Sequence, residues 1–220
     1  MRELTHGGDI YSRRNLPENT KLIDFSANIN PLGLPGKVKA AMIENMDTFS
    51  IYPDPLCREL TEAIASQEGV PGDFVICGNG AADIIYRIAA AVRPKKTLVT
   101  APAFAEYEEA VRAAGSAVEY HYLREEQEFT VDDSILESIS PDTELMFLCN
   151  PNNPTGRLIP KQLMLEIARR CREMQVLLVV DECFVDFLEC PVEYSLVDRL
   201  HELENVIVIK AFTKIYAMAG

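Results

Sequence analysis

At 220 residues and 48% apolar content the chain can bury a substantial core, as one large domain or two small ones. A formal net charge of −13 leaves no basic stripe to follow a phosphate backbone, which argues against nucleic acid as a partner and for a small molecule. No window approaches the roughly 20 apolar residues of a spanning helix, and "MRELTHGGDIYSRRN" lacks the apolar run of a secretion signal; the expectation is a cytoplasmic protein without a membrane partner. The six cysteines contain no CxxC pair, and three lie in or beside apolar runs. That suits buried thiols in a reducing compartment better than disulfides or a zinc site.

Residues 1–36 form an irregular opening punctuated by Pro and Gly. "GKVKAAMIENM" then has helical spacing. "DPLCRELTEAIASQEG" predicts a helix capped by Asp54, with Pro55 in its first turn and Gly69 as its stop. Short apolar segments follow, each β-branched or aromatic: "FVIC", "TLVT", "AVEYHY", "ELMFLC", "VLLVV" and "VIVI". Between them lie the amphipathic runs "AADIIYRIAAAV", "FAEYEEAVRAAG", "VDDSILESI" and "PKQLMLEIARRCREM". This alternation predicts an α/β fold, a mostly parallel sheet with helices on both faces. No repeat or linker interrupts it, so the simplest organisation is one α/β domain behind an N-terminal extension.

In open parallel sheets, ligands bind beyond the carboxyl ends of the strands, so chemistry is expected at those ends. "CGNGAADIIYRIAAAV" is a glycine turn feeding a helix, where backbone N–H groups and the helix dipole favour an anion. A plain strand-to-helix turn would look the same, and Asp83 stands where a dinucleotide fingerprint needs its third glycine. "TAPAFAEYEEA" places Phe104 and Tyr107 past a strand, where one could stack on a flat ligand or both could seal the helix against the sheet. "CNPNNPTGRLIP" is richer in Pro and Asn than a turn requires, and such a rigid loop can hold an amide such as Asn153 toward a ligand.

"VLLVVDECFVDF" delivers Asp181 at the end of an apolar strand, where a carboxylate is unfavourable unless a cation meets it. "NVIVIKAFTK" ends near Lys214, a candidate Schiff-base amine or simply a solvated lysine. Together the five ends ask for one flat, phosphorylated, carbonyl-bearing ligand with a basic ring nitrogen. Pyridoxal 5'-phosphate has that chemistry.

The ordered set "GNGAAD", "PAFAEY", "NPNNPTG", "DECFVDF" and "FTK" resembles fold-type I pyridoxal-phosphate enzymes of the class I/II aminotransferases, in the histidinol-phosphate aminotransferase group. The resemblance implies that Lys214 bonds to the cofactor and Asp181 meets the pyridine nitrogen. It also implies that Asn153 faces the ring oxygen, that Phe104 stacks on the ring, and that Gly80, Ala81, Ala82 and Thr213 serve the phosphate. Tyr52, in "IYPDP", matches the tyrosine lent to a neighbouring subunit's cofactor, which implies a homodimer.

"HGGDIY" and "IDFSANINPLGLP" are similar to the threonine-phosphate-decarboxylating, cobalamin-pathway branch of the group, in which His6 and Asn28 would bind the phosphate of a small phosphorylated amino acid. Without the resemblance, His6 would be a solvated terminal residue and Asn28 a turn former before Pro31. The implied organisation is a 1–36 extension contributing to the substrate site and a 37–220 cofactor-binding large domain. The implied reaction is decarboxylation of L-threonine O-3-phosphate, with transamination of the histidinol-phosphate type as the alternative. A non-catalytic fragment that at most binds the cofactor is a third expectation.

Three departures stand out. Phe184 replaces a tyrosine found in many aminotransferases, and Ala211 replaces a residue that often brings a hydroxyl to the cofactor phosphate. The family also continues beyond "YAMAG" into a small C-terminal domain, so the expectation is a chain that stops short of it.

Overall fold

The computed structural model describes Gly7, Gly8 and residues 22–219. His6 lies outside the described residues. Five strands, β1 (Lys96–Ala101), β2 (Ala117–Tyr122), β3 (Leu145–Cys149), β4 (Leu177–Asp181) and β5 (Val206–Ile209), form one sheet in the order β2-β1-β3-β4-β5. Every neighbouring pair is parallel, as the alternation of strands and helices predicts. Among the described residues seven α-helices accompany them: α1 (Gly36–Glu44), α2 (Arg58–Glu68), α3 (Gly80–Val92), α4 (Ala105–Ala113), α5 (Ile135–Ser138), α6 (Lys161–Glu173) and α7 (Phe212–Ile215).

The sheet divides its side chains between two cores. Leu98, Met146, Leu148, Leu178 and Val180 pack on one face with Ile135 of α5 and Ile167 of α6. Val99, Leu145, Phe147, Cys149, Val179 and Ile209 pack on the other with Ile85 of α3 and Tyr107, Ala110 and Val111 of α4. All five residues of β3 are buried, which is why "LMFLC" shows no polar alternation: both its faces are covered. Helix α6 buries Leu163, Met164, Ile167, Ala168 and Cys171, one stripe at helical spacing, while Arg170 and Arg172 sit in its last turn, where the dipole favours cations.

Two local expectations are corrected. "FVIC" is not a strand: Phe74 ends a 3-10 turn, residues 75–77 join no ladder, and a side chain holds them instead, Arg87 Nη1 donating to the Cys77 carbonyl at 3.1 Å. Helix α2 begins at Arg58 rather than just after Asp54, because Asp54 first closes a turn in which its carbonyl accepts the Cys57 N–H at 3.0 Å. Its carboxylate still accepts the Arg58 N–H at 2.9 Å, so the capping chemistry survives one turn early. Helix α1 forms as predicted but buries none of its residues against the described chain. Gly69 ends α2 in the left-handed conformation, as its position implies.

Among the described residues, no helix is long and apolar enough to cross a membrane. Register decides where the chemistry falls. Cys149 pairs with Asp181 and Asp181 with Ile209, so the ends of β3, β4 and β5 stand in one row. The chain leaves β1 on either side toward β2 and β3, and this reversal opens a crevice at the carboxyl edge.

Candidate functional site

At that edge lies a cavity of about 270 Å³ lined by Asn79, Gly80, Ala81, Ala82, Phe104, Tyr107, Cys149, Asn153, Asp181, Cys183, Phe184, Thr213, Lys214 and Ala219. The structure therefore brings together Gly80, Ala81, Ala82, Phe104, Asn153, Asp181, Thr213 and Lys214 from five separate segments, up to 134 residues apart in sequence between Gly80 and Lys214. Tyr52 is not among them; it is 98% exposed, away from this cavity.

Asp181 sits on the last residue of β4 and is 4% exposed. Its Oδ1 accepts the Cys183 N–H at 2.9 Å and its Oδ2 the Tyr107 hydroxyl at 2.6 Å. Both donors are neutral, and among the described residues no cation bonds to the carboxylate. Lys214 enters the same cavity from α7. Its ammonium makes no hydrogen bond or salt bridge among the described residues and lies 5.7 Å from the centre of the Phe184 ring.

Glycine turn and helix α3 form the opposite wall. Gly80 holds φ +80°, and a Cβ there would meet only Thr213 Cγ2, at 4.0 Å, so the missing side chain leaves a cradle between the two. Gly78 is needed for a different reason: a Cβ would stand 2.4 Å from Ile84 Cδ1. Asp83 in the first turn of α3 accepts the Asn79 N–H at 3.0 Å, closing the turn before the cavity begins. The first backbone N–H groups of α3 have no intrahelical partner and suit an anion.

The Asn-rich loop divides its labour. Asn150 is fully buried and ties the loop together, accepting the Ile159 N–H at 2.9 Å and donating to the Ile159 and Tyr194 carbonyls at 3.3 Å each. Asn152 donates to the Pro102 carbonyl at 3.1 Å. Asn153 is left to face the cavity, and its Oδ1 accepts from Asn28 Nδ2 at 3.3 Å. Beyond Asn153 and Phe184 a second hollow of about 370 Å³ opens, lined also by Asn28, Ile29, Phe187 and Leu188. Asn28 therefore stands over the site from the N-terminal side.

Gly7 and Gly8 belong to the same corner: Gly8 N–H donates to Ser26 Oγ at 2.8 Å, and a Cβ on Gly7 would collide with the Ser26 carbonyl oxygen. Only glycine permits that approach.

Two contributions escaped the sequence. Asn30 clamps α7, its N–H donating to the Lys214 carbonyl at 3.1 Å and its Nδ2 to the Ile215 carbonyl at 2.7 Å. The pair is separated by 185 residues, so local patterning carries no trace of it. Tyr107 is 1% exposed and bonded to Asp181, whereas the sequence leaves it as one of two aromatics at a turn. Burial, and then the Asp181 charge, push its phenol well above the usual tyrosine range, so it stays a proton donor. The same two causes raise Cys149 and Cys183, which remain neutral thiols.

The residues present fit pyridoxal phosphate on one decisive point: a buried carboxylate with only neutral donors faces a cavity that also holds a lysine and a glycine cradle. The sequence model of the family described as aminotransferase class I and II matches residues 20–220. The chain belongs to that family of pyridoxal-phosphate-dependent enzymes.

Within the family it is 38% identical over 219 residues to a threonine-phosphate decarboxylase of Salmonella typhimurium, covering 98% of this chain and 59% of that protein. It is 33% identical over 208 residues to a histidinol-phosphate aminotransferase of Methanococcoides burtonii, covering 92% of this chain and 55% of the relative. The crystal structure of the histidinol-phosphate aminotransferase from Clostridium acetobutylicum superposes with a TM-score of 0.81 at 31% identity, over 90% of this chain and 58% of that one. The chain thus spans less than two thirds of these family members, the part that corresponds to their large domain.

Proposed function

We propose that the chain forms the cofactor-binding part of a pyridoxal-phosphate lyase that decarboxylates L-threonine O-3-phosphate to 1-amino-2-propanol phosphate. The observation that carries the cofactor assignment is Asp181, buried at 4% exposure with two neutral donors and, among the described residues, no bonded cation. When bound, pyridoxal phosphate supplies an electron sink for the bond broken at the substrate α-carbon.

The residues that would hold the cofactor line one cavity. Asp181 would accept the ring N–H, the cation its burial calls for. Phe104 would cover the ring face, Asn153 would donate to the ring oxygen, and the N–H groups at Gly80, Ala81 and Ala82 would hold the phosphate with the Thr213 hydroxyl. Lys214 would be the amine that bonds to the cofactor, and its amine can hold or return a proton at the substrate α-carbon. The 1–36 extension contributes to the substrate site through His6 and Asn28, which hold the substrate phosphate, while 37–220 forms the cofactor domain. Tyr52 serves the cofactor of a second copy in a homodimer.

The decarboxylase reading is supported by the corner in which Gly7 and Gly8 pack on Ser26 and bring Asn28 to Asn153, and by the 38% identical relative. The substrate's anchors decide which α-carbon bond is broken. Amino transfer of the histidinol-phosphate type is the second reading, favoured by the 33% identical relative and by the 0.81 superposition. Six free thiols, three of them buried, fit a cytoplasmic setting for either.

The test is borohydride reduction after incubation with pyridoxal phosphate, then intact mass and peptide mapping beside Lys214→Ala. A single adduct on Lys214, absent from the variant, is expected. Adducts spread over surface lysines would overturn the site assignment. CO2 release from O-phosphothreonine supports the lyase; amino transfer to 2-oxoglutarate without CO2 release supports the second reading.

A further inference from the structure

We propose that Tyr107 is a positioning residue of this site: its hydroxyl fixes the Asp181 carboxylate and its ring supports Phe104, so that one side chain sets both the edge and the face contacts of a flat cationic ring. This rests on the cofactor reading above.

The geometry leaves Tyr107 no freedom. Its ring is stacked on Phe147, with centroids 5.0 Å apart and planes 9° from parallel, and meets Phe104 edge-on at 5.7 Å and 83°. Both Tyr107 and Phe147 lie in the core between the sheet and helices α3 and α4. The hydroxyl therefore points where the packing sends it, onto Asp181 Oδ2 at 2.6 Å. The Cys183 N–H holds the other oxygen at 2.9 Å.

With one donor on each oxygen, the carboxylate cannot turn about its last bond without breaking a buried hydrogen bond, and each oxygen keeps a lone pair for a further partner. A rigid carboxylate aimed at a fixed point is what a directional N–H from a ligand ring requires. Phe104 is held by the same ring, so the spacing between face and edge contacts is set in one place. A phenylalanine at 107 would pack equally well and would lack only the aim. The phenol is raised far above its usual range by burial and by the neighbouring carboxylate, so it donates throughout the working pH range.

The experiment is a double-mutant cycle on the whole chain with Tyr107→Phe, Asp181→Asn and the pair, using pyridoxal 5'-phosphate as probe. Three quantities are read: the dissociation constant from fluorescence titration, the pH midpoint of the bound cofactor's visible absorption, and the thermal midpoint of the cofactor-free protein. Tyr107→Phe is expected to weaken binding about tenfold and move the pH midpoint, as loss of one charge-assisted hydrogen bond would. In the Asp181→Asn background it should change binding by less than about twofold and leave the pH midpoint in place.

Equal losses in both backgrounds would make Tyr107 a packing residue and overturn the inference, and no change in either background would do the same. Should Tyr107→Phe fail to fold, 3-fluorotyrosine at this position keeps the ring and acidifies the hydroxyl. A midpoint shift that disappears in Asp181→Asn supports the inference, and an unmoved midpoint overturns it. A wild-type chain that binds no pyridoxal phosphate overturns the cofactor reading together with this inference. Binding with additive losses overturns this inference alone.

Discussion

Asp181, the last residue of β4, and Glu182, the first beyond it, are adjacent carboxylates with opposite fates. Asp181 faces the cavity. Glu182 is fully buried on the other side, its Oε2 accepting the Ser195 hydroxyl at 2.6 Å and its Oε1 the Leu196 N–H at 2.8 Å. Burial pushes the Glu182 carboxyl up to about 7; those two hydrogen bonds and the Lys210 charge pull it down, and Glu68 raises it again.

A carboxyl raised in the folded state keeps its proton there after the unfolded chain has lost it. Its contribution to stability is therefore complete below the ordinary value of 4.5 and is lost as pH rises through about 7. The loss is on the order of 3 kcal/mol. Urea denaturation at about pH 5 and about pH 8 should show this decline in the wild type and a flatter profile in Glu182→Gln, whose amide oxygen can still accept the Leu196 N–H while its NH2 donates to the Ser195 hydroxyl oxygen. An equal decline in both proteins would rule Glu182 out as the source.

Gly80 offers a second test at this scale. Alanine there must adopt φ +80°, at a cost of about 1 kcal/mol in the left-handed region, and its methyl would enter the cradle facing Thr213. The expected result is weaker pyridoxal phosphate binding with a small fall in thermal midpoint.

Among the elements, α7 is the one most dependent on a distant partner. It is a single turn, and the N-terminal segment holds it through Asn30. Asn30→Ala removes the 2.7 Å bond to the Ile215 carbonyl and should destabilise this corner by about 1 kcal/mol. Amide exchange of residues 212–217 would quicken while that of β3 and β4 stayed unchanged. Exchange unchanged at 212–217 would show that the backbone bond to Lys214 suffices.

Helices α3, α4 and α6 were legible from periodicity, because their apolar residues recur at the spacing of the face they bury, and the five strands from short apolar runs rich in β-branched and aromatic residues. "FVIC" has the same local signal as a strand and is none, since a strand needs a neighbour and residue composition does not say whether one is present. The start of α2 was misplaced for a related reason: Asp54 can cap a helix or close a turn, and here it does both in succession.

Over the whole molecule, apolar surface is unevenly distributed. While the sheet is sealed by two cores, α1 buries nothing, and Phe49 and Ile51 after it are 74% and 70% exposed, beside Tyr52 at 98%. An apolar patch of this kind marks an interaction surface. In the proposed homodimer it faces a second copy. Sedimentation should show concentration-dependent association of the wild type that Phe49→Glu weakens at least tenfold, whereas an unchanged association constant would place the contact elsewhere.

Thiol reactivity gives a further check at this scale. Iodoacetamide should label the exposed Cys190 first and reach the buried Cys149, Cys171 and Cys183 only on unfolding.

The sequence by itself determined the α/β alternation and the residue types waiting at four strand ends and at the glycine turn before α3, because hydrophobic period and turn chemistry are local properties of a chain. Tertiary structure alone decided which candidates meet. The register that aligns Cys149, Asp181 and Ile209 sets Asp181 across from Lys214, packing sends the Tyr107 hydroxyl onto Asp181, and Asn30 reaches α7 across 185 residues. Those are contacts between segments remote in sequence, fixed by the geometry of the sheet and its two cores rather than by any local preference.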